Sequence, residues 1–309
     1  MVKSRTMGIL AAILLLLVTM SAAVFIVAWY VWPEGSDQNG VSGEQSQSAP
    51  AGEGIQVGVF LSGFTATGPH RSTRAYGYQT QLRPVKSLRD PSIHLIPVVE
   101  PGFTRRPGLL RILSEDFPGE TPLDAGNLQD LRKLDVLVAT SVANVPNDVI
   151  PPIMTRVREG MGLVQRQFGY LTPGYDSQMN DLCGFTDGVF GWNASPVPCE
   201  VVGNHPLLGD LAGQIGKTIT LVPNGTVGHL KGIPLLRITD MKQIMLVNAD
   251  RPVGTGEYLY PLYISQWGHG KIVGIGFTQG KDVPPELEAA NHGRFYIHCV
   301  EWLMGKPLN

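Results

Sequence analysis

"REGMGLVQRQFGYLTPG", residues 158–174, decides the architecture. Its apolar run from Met161 to Val164 lies between a glycine that closes a helical pattern and a cluster of polar and aromatic residues. A short apolar run bounded by turn residues reads as a strand buried on both faces, the form strands take in parallel sheets. Upstream, "NDVIPPIMTRVREG" (147–160) predicts a helix with Asn147 or Asp148 as its cap and Gly160 just past its end. A helix that feeds a buried strand is half of a βαβ unit, so the next question is whether the unit recurs.

It does. "IQVGVFLSGF" (55–64) is a β-branched run ending at Gly63, and "RSTRAYGYQTQL" (71–82) is a helix opened by Ser72. "SIHLIPVVE" (92–100) is a second strand, "LDAGNLQDLRKL" (123–134) has helical spacing, and "DVLVATS" (135–141) is a third strand. "GLVQRQ" (162–167) is the fourth. Strands and helices alternating at this interval specify a parallel sheet with helices packed on it. The second half changes character: "CEVVG", "TITLVP", "LLRITD" and "QIMLVNAD" are strand-like and close together. "YPLYISQW" and "KIVGIGF" are separated by "GHG", a hairpin signal. A final helix over 284–305 is expected to break near Gly293.

Composition bounds the function. Of 309 residues, 43% are hydrophobic and 16% charged, which suits a folded core, and the formal net charge of −2 leaves no electrostatic footprint for nucleic acid. At the N-terminus, Lys3 and Arg5 precede an uncharged apolar run from Met7 to Trp32, long enough to cross a bilayer as a helix, with Trp29, Tyr30 and Trp32 at its far end. The expectation is a single transmembrane anchor (1–33) contacting lipid through residues 7–32, with the N-terminus cytoplasmic and the remainder extracytoplasmic. A cleaved signal peptide is the alternative. Residues 34–54, rich in Gly, Ser, Gln and Glu, read as a flexible linker, leaving 55–309 as the folded domain.

Of the three cysteines, Cys183 and Cys199 flank "GFTDGVFGWNASPVP", and an oxidising compartment would permit a disulfide between them worth roughly 3 kcal/mol. Three free thiols is the competing reading. Cys299, in "RFYIHCVEWL", reads as a buried apolar side chain. Phosphate-cradling GxxxxGK[ST], CxxC and HExxH patterns are absent from the sequence, and His292 and His298 fall on different faces of their helix. No cofactor and no metal is therefore expected.

Four stretches, taken in order, carry a family resemblance. A Gly-rich loop after the first strand holds His70; "VREGMGLVQRQFG" follows; then "NHPLLGDL" (204–211); then "WGHGKIVGIGFTQGKD" with a helix ending in "EWLMGKP". Together they resemble the ThuA-like family, named for trehalose utilisation, within the class I glutamine amidotransferase-like superfamily. The resemblance spans roughly residues 55–307. It implies an α/β fold: a flavodoxin-like three-layer sandwich with a mostly parallel central sheet. Its functional surface would lie at the carboxyl ends of the strands, in the loops Ser62–His70, Ser141–Asn144 and Gln165–Tyr175.

The departures from that pattern set the functional expectation. An amidotransferase needs a thiolate on the turn after the strand, activated by a neighbouring histidine. From Gln165 to Gly169 there is no Cys, Ser or Thr, so glutaminase chemistry is not expected. Gln167 replaces the histidine expected at that turn, and Gln279 or Lys281 the one expected near the C-terminus. Ser62, Gly63, His70, Gln165, Arg166, Gln167, Tyr170, Tyr175 and Gln279 are the candidate ligand-binding residues. Arg166 offers bidentate donors to an anionic or polyhydroxyl ligand, and Tyr170 and Tyr175 offer flat faces to a sugar. Each has a plainer alternative: Arg166 as a structural partner of Asp176 or Asp181, the tyrosines as loop packing. The expected partner is a small polar or carbohydrate ligand; protein partners are not indicated. Two other readings stay open: an enzyme of carbohydrate turnover using His70 with Asp176 or Asp282 as acid and base, and a non-catalytic assembly part.

Overall fold

The computed structural model describes residues 54–61, 86–101, 113–140, 148–166, 182–246, 252–277 and 283–308. The proposed anchor and linker lie outside these residues. Among the described residues no helix is long and apolar enough to cross a membrane.

The parallel half forms as the apolar runs dictate. Strands β1 (Ile55–Leu61), β2 (Ile93–Val99), β4 (Val136–Thr140) and β5 (Gly162–Arg166) pair in parallel, with the two-residue β3 (Leu123–Asp124) beside β2. Strand β14 (Gly270–Ile275) adds in parallel to β5. The sheet then turns antiparallel through β13 (Leu262–Trp267), β10 (Ile233–Ile238), β7 (Val197–Val201) and β8 (Thr218–Leu221). The result is one ten-stranded mixed sheet, ordered β3-β2-β1-β4-β5-β14-β13-β10-β7-β8.

Alternate residues of each strand face opposite sides. Leu137, Ala139 and Leu163 pack with α1 (Leu128–Leu131) and α2 (Ile150–Glu159). Val136, Val138 and Val164 pack with α3 (Pro285–Ala290) and α4 (Phe295–Leu303). Helices therefore cover both faces, as the βαβ pattern requires. The expected break in the last helix is present, with His292 (φ 52) and Gly293 (φ 74) between α3 and α4. The "GHG" hairpin is present too: Trp267 pairs with Gly270, and Gly268 (φ 59) takes the left-handed conformation that the tight turn needs.

Several expectations are corrected. Residues 123–134 are not one helix. Leu123 and Asp124 extend the sheet, the Asp124 carboxylate accepts from the Gly126 amide at 2.8 Å, and Asn127 caps the short α1 by accepting from Gln129 N. These side-chain bonds offer the backbone a turn in place of a helix. Val149, not Asp148, holds the N-cap of α2 and makes no side-chain bond, and Asn147 lies outside the described residues. A capping side chain accepts from the second or third helical amide, and those positions are Pro151 and Pro152, which have no N–H to cap. The strand expected over 243–250 is present as β11 (Met245–Leu246), and residues 247–250 lie outside the described set.

A second sheet was not expected. Strands β6 (Phe185–Trp192), β9 (Asn224–Leu230) and β12 (Tyr258–Leu259) join β11 in a four-stranded antiparallel sheet ordered β11-β6-β9-β12. Of the two readings of Cys183 and Cys199, the disulfide is not formed and the free thiols are present. Both are free and buried, Cys183 in the cluster of α2 and Cys199 in that of α4, on opposite faces of the large sheet.

Candidate functional site

Strand β1 lies between β2 and β4, so the chain leaves β1 in one direction and returns on the other side of it. In open α/β sheets such a reversal leaves a crevice at the carboxyl ends of the strands, where ligands bind. Nine sequence-expected residues directly follow those ends in the chain: Ser62, Gly63 and His70 after β1, Gln167, Tyr170, Tyr175 and Asp176 after β5, Gln279 and Asp282 after β14. All nine lie outside the described residues.

Within the described residues, the strand ends carry an unusual set of buried polar groups. Arg166, the last residue of β5, is 1% exposed and is among the largest fully buried side chains. Its Nη1 donates to the Phe277 carbonyl just beyond β14 at 3.5 Å, tying the ends of two neighbouring strands. Gln165 is 4% exposed, and its amide donates to the Tyr263 hydroxyl of β13. Glu100, just past β2, is 7% exposed and also engaged in the structure. It sits three strands from β5, roughly 14 Å at the usual spacing.

Tyr263 is the centre of this corner, and sequence reading missed it. It stands opposite Gly274 in the β13–β14 register, where a Cβ would collide with its ring. Phe185 meets it edge-on at 5.1 Å. The Tyr263 hydroxyl accepts from Gln165 and lies beside the Cys183 thiol. Burial is the main cause that raises the Tyr263 phenol well above its ordinary range. The only sequence signal for it was the inward alternation of "LYISQW".

A cysteine therefore stands close to the strand end after all, but not as a nucleophile. Burial pushes the Cys183 thiol up to about 12, against a small opposing effect of the Tyr263 hydrogen bond. A thiol of that acidity is protonated near neutral pH, and attack requires the thiolate. Burial raises the Cys199 and Cys299 thiols as well. Among the described residues no group of three His, Cys, Asp or Glu is placed to hold a metal ion.

His205 caps the 3-10 turn Pro206–Leu211 through its Nδ1, which accepts from Leu207 N at 3.2 Å, and its ring meets Trp302 edge-on at 5.2 Å. His298 is buried in α4, its Nδ1 2.8 Å from the Asn291 side-chain oxygen, while the Asn291 amide donates to the Leu207 and Leu287 carbonyls. Both histidines hold the packing of α3 and α4 against this turn.

No family model matches the chain, and no curated protein sequence matches it. Among solved structures, it is similar to a protein of Parabacteroides merdae described as ThuA-like, at 12% identity over 83% of this chain and 92% of that one, with a TM-score of 0.49. A second protein described as ThuA-like, from Bacteroides uniformis, is 10% identical over 84% of this chain and 95% of that one, with a TM-score of 0.45. A β-galactosidase from Rahnella is 12% identical over 82% of this chain, with a TM-score of 0.48, and the chain spans 32% of that enzyme's length. None of these likenesses assigns an activity.

Proposed function

We propose that this chain binds a small polar ligand, a carbohydrate first among candidates, at the carboxyl ends of its parallel strands, without nucleophilic catalysis. The observation that carries the reading is the content of the β5 end. Gln165 and Arg166 stand there, and the cysteine beside that corner, Cys183, is a buried, protonated thiol. Arg166 acts from below, as a positioning residue. A guanidinium held under the strand ends keeps β5 and β14 in register beneath the crevice where a polyhydroxyl or anionic group would lie. The apolar segment 7–32 is proposed to tether the domain to a membrane on its extracytoplasmic side.

Thermal-shift measurements on the full chain with a panel of mono- and disaccharides test this. At least one sugar is expected to raise the melting temperature, and Arg166→Gln is expected to remove that response while circular dichroism stays native. A flat panel, or an unchanged response in Arg166→Gln, overturns the reading. Release of ammonia from glutamine by the native chain would overturn its non-catalytic part. The burial of both Gln165 and Arg166 favours a second reading, in which the corner is only a packed bend of an assembly protein; the flat panel is its signature.

A further inference from the structure

A second concave site lies at the opposite edge of the sheet. Strand β13 runs antiparallel to β14, so Trp267 sits at the amino ends of the parallel strands, away from Arg166. The pairing of β10 with β13 ends at Ile233 and Ile264, and β13 continues past it through Ser265, Gln266 and Trp267. A groove of about 530 Å³ occupies the gap. That volume falls within the roughly 300–1,000 Å³ typical of small-molecule sites.

Its walls combine two chemistries. Trp267 lines one side and Trp302 of α4 another, while Ile233, 58% exposed, lies at the rim. Lys231 and Lys271 also line the groove, and none of the described residues of its lining is acidic. Lys271 is held in place: its ammonium lies 5.2 Å from the centroid of the Trp302 ring and donates to the Trp302 carbonyl at 3.4 Å. A lysine fixed by a ring and a carbonyl loses less side-chain freedom when it meets an anion than a lysine on open surface. Gln266 stands opposite Lys271 across the hairpin, its side-chain amide donating to the Gly268 carbonyl at 2.8 Å. The Ser265 hydroxyl donates to the Cys183 carbonyl at 3.3 Å, leaving its lone pairs to accept from a ligand hydroxyl.

We infer that this groove binds a small carboxylate-bearing molecule with a flat, partly apolar face, the Trp302 indole packing on that face and Lys271 pairing with the carboxylate, while Trp267 closes the groove from the other face of the sheet. Two sources share this chemistry, a sugar acid and an aromatic acid, and the inference does not depend on the strand-end site. Isothermal titration of the full chain with D-glucuronate and with 2-naphthoate separates them, D-glucose and 2-naphthol being the uncharged counterparts. One or both acids are expected to bind saturably, and the corresponding uncharged compound at least about tenfold more weakly. Lys271→Gln should weaken binding about tenfold, while Lys271→Arg and the distant control Lys217→Gln retain it. Trp302→Phe, which keeps a ring, should weaken it less than Lys271→Gln. No saturable binding of either acid, equal binding of acid and uncharged counterpart, or undiminished binding by a folded Lys271→Gln chain overturns the inference.

Discussion

Gly274 is a glycine because of a residue eleven positions earlier in the chain. The Tyr263 ring lies flat across it, filling the volume a Cβ would need, and this places the hydroxyl between Gln165 and Cys183. The consequence at this scale concerns reactivity. All three cysteines are buried, and burial raises each thiol. Ellman's reagent on the native full chain at pH 8 should therefore label none of the three within minutes, and all three once the chain is unfolded in guanidinium. The sign of the linked pH effect follows. For an acid whose folded value is raised, the folded state keeps its proton while the unfolded chain loses it. Stability from Cys183 is thus intact below about 9 and drains away as pH rises from about 9 toward about 12. Fast labelling of a native thiol mapped to Cys183 would show that this corner opens, and would make Cys183 a candidate nucleophile.

Among the elements, legibility tracked how completely local pattern determined the outcome. Strands β1, β2, β4 and β5 are apolar on both faces and were readable, as were the last hairpin and the break at His292–Gly293. Strands β6 and β9 were not, because glycine has low strand propensity and reads as loop. Their glycines answer to neighbours that the sequence does not show: a Cβ on Gly191 would sit 2.5 Å from Val227 Cγ2 and 2.7 Å from Ile244 Cγ2, and one on Gly228 3.0 Å from the Gly188 Cα. The site was partly legible for the same reason. Gln165 and Arg166 could be named from the strand that ends there, but Tyr263 reaches Gln165 across 98 residues, and Lys271 and Trp302 of the groove meet only through the packing of α4. One element also carries a pH prediction. Burial lowers the pKa of His205, whose neutral Nδ1 must accept from Leu207 N to cap the Pro206–Leu211 turn. Because the unfolded chain takes up this proton more readily, the stability is present above about 6.5 and is lost as pH falls through that value. Asparagine caps without titrating. His205→Asn should therefore shrink the loss of melting temperature between pH 7 and pH 5 by about 2 °C, taking roughly 1 kcal/mol for a cap. An unchanged pH profile would mean that the cap does not control it.

At the scale of the whole molecule, the question is whether the small sheet is an appendage or part of one cooperative unit. Pro50–Asn309 cluster as one unit by their contacts. The packing gives the reason. Val227 of β9 and Leu259 of β12 are fully buried in the cluster that also holds Val138, Val164 and the apolar face of α4, while Phe185 of β6 is buried in the cluster of α2. The small sheet thus feeds both cores and cannot lose its packing without exposing the large sheet. Truncating a fully buried valine in such a place removes roughly 2 kcal/mol, which for a domain of this size lowers the melting temperature by roughly 4–8 °C. Val227→Ala should shift the far-UV and near-UV circular dichroism transitions together, by the same amount, with a single midpoint. If instead the near-UV signal melted first and the far-UV transition kept its native midpoint, the small sheet would be an independently unfolding part. Its packing against the large sheet through Val227, Leu259 and Phe185 would then be an interface between two units.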